Sequence, residues 1–513
     1  MRLAFLGLLA LGLPLISSAR ENQGQGGRKP STTPNVAAAC NAGSAQTDLD
    51  INNVRTRILT GGDMWWDLSN PRYEIPKGSG DHSIFAGSLW IGGIDAGGQL
   101  KVAAMTYRQS GNDYWPGPLD TVNVTTDQVV CDQFDKHFRV KRSEVEKFYT
   151  DFLNNQVSSI PQSLLNWPGN GNPAYNHAKY LAPFYDNNGD GVYNPYDGDY
   201  PDYDITGTRG CSARLFGDET LWWVFNDKGN VHSESGAEAI GLEIHSQAFA
   251  FTTNDEVNDM TFYQYKVINR STFQLNGCYF GQWVDPDLGQ YNDDYVGCNV
   301  LEGLGFCYNG DNQDGTGGPG DYGAYLPAVG IDFFQGPIAD LGDGIDNDRD
   351  CLVDEPGEQI IMSKFVYYDN NFTVRGNPEN GTHIYNYLSG FWKDGLPLTY
   401  SGNAYNTGGP ICNFMFPGSS DQTYGWGTGG NCQNPASAQP PWDEVSAGNV
   451  PADRRFLQSC GPFTLKPGAV NIITVGAVWA TTTLANNNVA ALNNLLLADK
   501  KAQALFDNCF AIL

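Results

Sequence analysis

The stretch "TFYQYKVIN", residues 261–269, alternates in side-chain character residue by residue. In an extended chain Tyr263, Tyr265 and Val267 fall on one side, and Gln264 and Lys266 on the other. A helix would scatter that pattern around its axis, so the period of two predicts a strand. Short aromatic or β-branched runs recur in "QLKVAAMTYRQ", "TLWWVFND", "GLEIHSQAFAFTT" and "NIITVGAVWA", bounded by Gly, Asn or Asp. "FTLKPGAVNIITV" reads as a hairpin turning at Pro467-Gly468. A content of 61 Gly, 28 Pro and 12% aromatic residues suits many strands joined by turns. The expected fold class is mainly β, with one or more antiparallel β-sandwiches and long Gly/Asn-rich loops.

Two helices are expected within it, one near 143–155 and one at the C-terminus. "SEVEKFYTDFLNN" opens on a capping box, Ser143 and Glu146. Val145, Phe148, Tyr149, Phe152 and Leu153 then form one apolar stripe. Residues 484–510 place Ala491, Leu495, Ala498, Ala502, Leu505 and Cys509 at helical spacing. Each stripe is expected to pack on the protein's own sheet.

The N-terminus reads as a signal peptide over 1–19. Arg2 supplies the charged start, Leu3 to Ile16 the apolar run, and Ser17-Ser18-Ala19 the cleavage site. Residues 20–48 have the composition of a flexible linker. A β-rich region with a calcium loop is expected over 49–205, a main β-sandwich region over 206–480, and the C-terminal helix over 481–513. No later apolar run approaches the ~18 residues of a membrane span, so no membrane insertion is expected. The expected location is secreted or at the outer cell surface. Outside the cell the 11 Cys should form disulfides, and the odd count leaves at least one thiol over. At least three disulfides are expected. Cys412–Cys432 is the favoured pair because it would pin the Gly/Asn/Ser/Pro-rich segment 400–450. Buried free thiols are the alternative.

With 30 Lys and Arg against 57 Asp and Glu, the formal charge is −27. Such a surface repels nucleic acid and anionic lipid, which excludes both as partners. Much of the charge is crowded into short loops. In "DNNGDGVYNPYD", Asp186, Asn188 and Asp190 occupy positions 1, 3 and 5 of a twelve-residue calcium loop. Gly191 supplies the turn at 6, the Val192 carbonyl position 7, Asn194 position 9 and Asp197 position 12. The Asp at 12 is the pattern of dockerin loops, although "GDYPDYD" follows where a helix would be expected. In "DGIDNDRDCLVDE", Asp346, Asp348, Asp350 and Asp354 stand at 1, 3, 5 and 9, with the Leu352 carbonyl at 7. Cys351 replaces the turn glycine there, and Asp340, Asp343 or Glu355 is needed to complete the shell. "DPDLGQYNDD" offers Asp285, Asp287, Asp293 and Asp294 without a known spacing. The expected cofactor is Ca²⁺; the alternative for all three is a solvated acidic turn.

Six strings, "GGDMWWDL", "GDHSIFAGSLWIGGIDAGGQLKVAA", "YWPGPLD", "WWVFNDKGN", "GQWVDPDLG" with "DDYVGC", and "DRRFLQSCGPFTLKPGAVNIITVGAVWA", carry a resemblance as a set. The chain resembles secreted or surface proteins of Bacteroidota, typically exported by the type IX secretion system, over most of residues 50–510. The resemblance implies an extracellular β-rich module with no firmly assigned activity. Such proteins usually end in a C-terminal sorting domain, whereas this sequence ends at "FDNCFAIL".

The expected role is structural, adhesive or ligand-binding, with glycans or surface and matrix proteins as partners. Two alternatives belong to other classes. A carbohydrate-binding module would expose one ring from each of the pairs Trp65-Trp66 and Trp222-Trp223. A secreted glycosidase would face two carboxylates across a cleft, and Asp218, Glu219, Glu238 and Glu243 are candidates. No HExxH or GxSxG motif occurs among the residues, and "GWGTGG" at 425–430 lacks a βαβ context.

Overall fold

The computed structural model describes residues 40–108, 111–202 and 217–511. The signal-peptide reading over 1–19 and the linker reading up to residue 39 lie outside the described residues, as does Cys211. Among the described residues, ten strands form one large sheet and nine a second. The pairs along both sheets are antiparallel. Lys364–Asp369, Arg454–Leu465, Leu275–Asp285 and Ala86–Asp95 form the spine of the first sheet. Short strands between Gln46 and Ile84 extend it. The second sheet runs from Asp294–Asn299 through Leu304–Asn309, Pro327–Gln335, Val470–Thr481, Thr261–Asn269 and Leu242–Ala250 to Glu219–Asn226.

Alternation decides what lies between the sheets. Tyr263 and Tyr265 point inward and are fully buried. Trp65 Nε1 donates to the Tyr263 hydroxyl at 2.8 Å, and Tyr73 bonds Thr261 Oγ1 at 3.0 Å, which joins the first sheet to the second. The outer face of the second sheet has two covers. The C-terminal helix Asn488–Asp507 buries Ala491, Leu495, Ala498 and Ala502 against Phe249, Phe262 and Phe334. The region 128–202, with helix Arg142–Leu153, buries Trp222 and Val224 under Phe138, Phe148 and Trp167. Both apolar stripes therefore pack on the protein's own sheet.

Several expectations change with the tertiary structure. The turn at Pro467-Gly468 forms, with Gly468 at φ +74°, but it is not a hairpin. Arg454–Leu465 pairs in the first sheet and Val470–Thr481 in the second, so the chain crosses the sandwich there. The regions 49–205 and 206–480 do not part at residue 205. Ala86–Asp95 pairs with Leu275–Asp285, so one sheet draws on both. The linker reading ends early, because Cys40 is buried in a disulfide with Cys131 and Gln46–Leu49 pairs with Arg55–Leu59. Ser143 lies inside its helix, whose N-cap is Lys141 without a side-chain cap, so no capping box forms.

The favoured disulfide is also corrected. Cys432 bonds Cys351, while Cys412 is a buried free thiol beside Lys364, its pKa raised by burial to about 12. Cys278, Cys298, Cys307 and Cys460 are likewise buried and free. Cys509 is disulfide-bonded.

Candidate cation sites

The two calcium-type loops share one backbone. In the first, Gly189 and Gly191 are left-handed, at φ +75° and +73°. Asp186 accepts from Gly189 N at 2.7 Å through Oδ1 and from Gly191 N at 2.6 Å through Oδ2. Asn188 Oδ1 accepts from Asp190 N at 3.0 Å, and Asp190 Oδ1 from Val192 N at 2.7 Å. In the second, Arg349 and Cys351 hold the same positions at φ +62° and +76°. Asp346 Oδ2 accepts from Cys351 N at 2.9 Å. Asp348 Oδ1 accepts from Asp350 N at 3.3 Å, and Asp350 Oδ1 from Leu352 N at 2.8 Å. The 1-3-5 register with a tight turn at position 6 is thus built twice.

Cys351 adopts a conformation that normally falls to glycine, at a cost on the order of 1–3 kcal/mol. Its disulfide to Cys432 and a hydrogen bond from Gln433 Nε2 to its carbonyl, 3.0 Å, hold it against the long 400–450 segment.

The loops differ in how they are completed. The Asp346, Asp348 and Asp350 ligand atoms lie within 4.8 Å of one another. Asp346 is buried, and its Oδ1 has no hydrogen-bond partner; neither has either carboxylate oxygen of Glu355. Burial raises the Glu355 carboxyl, and so do Asp350 and Asp348 beside it. Burial likewise raises Asp346 and Asp348, with neighbouring carboxylates adding to it. Asp340 instead accepts from Thr464 N and Oγ1, at 3.1 and 2.6 Å. Asp343 accepts from Ile345 N at 2.8 Å, and Asp354 from Gly344 N at 3.1 Å. Glu355 thus stands beside Asp348 and Asp350, whereas Asp340, Asp343 and Asp354 accept the bonds just given.

In the first loop, Asn194 Nδ2 donates to Asp197 Oδ2 at 2.5 Å, in the 3-10 turn Pro195–Asp197. Asp199, fully buried and two residues beyond position 12, accepts from Asn187 N at 2.9 Å and from Asn194 N at 2.8 Å and so braces the loop. Its pKa is raised by burial and by Asp186 and Asp190. Sequence spacing did not point to it, and Asp197 is exposed.

The third candidate is sorted differently from its order in sequence. Asp285 and Asp287 converge with Asp453, their ligand atoms within 4.8 Å. Buried Arg455 bridges Asp453 and Asp285, and the Tyr107 hydroxyl donates to Asp285 at 2.5 Å. Asp287 is 7% exposed, and its Oδ1 has no hydrogen-bond partner. Burial raises its pKa strongly, with Asp285 and Asp453 adding to the shift. Three carboxylates against one guanidinium leave an excess of buried negative charge, which a protein neutralises with protons or a cation. Asp294 stands next to this group, accepting from Leu288 N at 3.1 Å, and is raised by burial and by Asp293. Asp293 accepts from Gly315 N at 3.0 Å. Asp453 joins from just before the start of the neighbouring strand, far away in sequence, and no local spacing reveals it.

Three of the four carboxylates offered for a glycosidase are engaged elsewhere, and the fourth, Glu238, is exposed. Glu219 pairs with Arg139 at 2.6 Å, and Asp218 accepts from Thr252 N at 2.8 Å. Glu243 takes His245 at 2.8 Å, Arg270 at 2.7 Å and Leu119 N at 2.8 Å. Against its burial, the His245 and Arg270 bonds hold it down to about 2. The tryptophan pairs are buried as well, at 0, 1, 1 and 0% exposure for Trp65, Trp66, Trp222 and Trp223. None of the four rings is exposed at the surface.

No protein-family model matches this chain. No curated protein matches it.

Proposed function

We propose that this is an extracellular calcium-binding β protein with a structural, adhesive or ligand-binding role at the cell surface. In it, Ca²⁺ neutralises acidic loops at the margins of the sandwich. The observation that carries the reading is the convergence of Asp346, Asp348 and Asp350, with Glu355 beside Asp348 and Asp350. Calcium takes six to eight oxygens, and the Leu352 carbonyl adds another at position 7. Two disulfides among the described residues suit an oxidising compartment. Among those residues no helix is long and apolar enough to cross a membrane.

Extracellular calcium modules bind at roughly 10⁻⁴–10⁻³ M, so about 1 mM calcium should stabilise each site by about 0.4–1.4 kcal/mol. Thermal melts in calcium and in chelator test the reading, with Asp348→Asn/Asp350→Asn as the control that should lose part of the difference. Equal melting temperatures, with no bound metal by elemental analysis, would reduce the loops to charged turns.

A further inference from the structure

On the outer face of the second sheet, Leu242–Ala250 and Thr261–Asn269 carry three matched rungs: Phe249 opposite Phe262, Gln247 opposite Gln264, and His245 opposite Lys266. The phenylalanine rung lies under the C-terminal helix. The two polar rungs floor a cavity of about 450 Å³, bounded by Trp222, Ile472 and the segment 180–186.

Gln247, Gln264 and His245 are 4, 7 and 5% exposed, yet Gln247 Nε2, Gln264 Nε2 and His245 Nδ1 have no hydrogen-bond partner. Each unpartnered buried group destabilises a fold, because its lost hydration is not replaced. The adjacent phenylalanine rung shows that the same face can be apolar, so folding does not require these amides. They are arranged to meet something else.

Its chemistry follows from the groups. His245 Nε2 lies 2.8 Å from Glu243, an acceptor, so that nitrogen carries a proton and Nδ1 is the ring nitrogen left without a partner. The floor therefore sets a ring nitrogen beside two amides, and each amide can present either of its ends. Asp186 and Asp202 line the cavity together with Lys266, a mixture that suits neither a strong anion nor a cation. Tyr180 and Phe184 add aromatic faces, and Tyr180 is 53% exposed. Closely spaced hydroxyls on a ring with an apolar face satisfy all of these groups together.

We propose that this cavity binds a neutral sugar residue, with Gln247, Gln264 and His245 hydrogen-bonding its hydroxyls and Tyr180 packed against its face. The three floor groups lie outside the calcium loops, and only Asp186 at the wall belongs to one of them. Saturation-transfer NMR on the full chain, with glucose, galactose, mannose, N-acetylglucosamine and their common disaccharides at millimolar concentration, tests it. At least one sugar should receive saturation, and titration should show binding about tenfold weaker in Gln264→Leu, the effect of losing roughly one hydrogen bond. Tyr180→Ala, at the surface, should also weaken binding while leaving the melting temperature unchanged, and it decides the matter if Gln264→Leu does not fold. No transfer from any of the sugars, or affinity unchanged in the variant that folds, overturns the proposal.

Discussion

Asp332, in strand Pro327–Gln335, and Asp499, in the C-terminal helix, are fully buried and pair with each other. Burial raises both pKa values, and each feels nearby Glu302; Asp332 also feels Asp499, while Lys500 works the other way on Asp499. The folded state then holds protons that the unfolded chain releases near pH 4. Stability contributed by this pair is present at low pH and falls as pH rises above that value toward the raised folded pKa. Asp332→Asn should therefore raise the urea midpoint at pH 8 and flatten its slope between pH 5 and 8, as a denaturant series at stepped pH would show. At Cys351, the disulfide restrains a left-handed residue within a metal loop. Cys432→Ser should cost up to roughly 4 kcal/mol in the chain-entropy model for a separation of 81 residues. It should also shrink the calcium-dependent rise in melting temperature, read by calorimetry with and without chelator.

At the scale of elements, the C-terminal helix is held by its buried face. Its N-cap Asn487 accepts from Ala490 N at 2.9 Å, which fixes where the helix starts. Phe506 stacks on Phe334 with centroids 5.5 Å apart and meets Phe510 edge-on at 5.6 Å. Phe506→Ala should cost about 3–5 kcal/mol through lost burial and a residual cavity. Denaturant unfolding followed by near-UV circular dichroism would report both the loss and the altered aromatic packing. In the first sheet, Gly281 meets the helix Gly381–Leu388 so closely that a Cβ would stand 2.6 Å from Leu388 Cδ2. Here the absence of a side chain lets a helix lie on a strand.

Over the whole molecule, a charge of −27 sets up self-repulsion that any salt screens. Potassium chloride should raise the melting temperature slightly and smoothly. On the proposed calcium reading, calcium chloride at the same ionic strength should raise it further and saturate, because a bound cation stabilises beyond screening. Coincident curves for the two salts would assign the whole effect to screening.

Alternation along "TFYQYKVIN" was enough to place Tyr263 and Tyr265 in the core, since a strand has only two faces and the aromatic one is buried. The 1-3-5 spacing at Asp186 and Asp346 was equally legible, because a loop of twelve residues is a local object. Helical stripes marked which side of each helix would be covered. Tertiary structure decided everything that depends on distant strands. It sent the two sides of Pro467-Gly468 into different sheets and brought Asp453 to Asp285 and Asp287. It paired Cys432 with Cys351 rather than Cys412, and placed Gln247 beside Gln264 above a cavity. Local periodicity records which face of an element is apolar; it carries no information on which other element that face, or the opposite one, will meet.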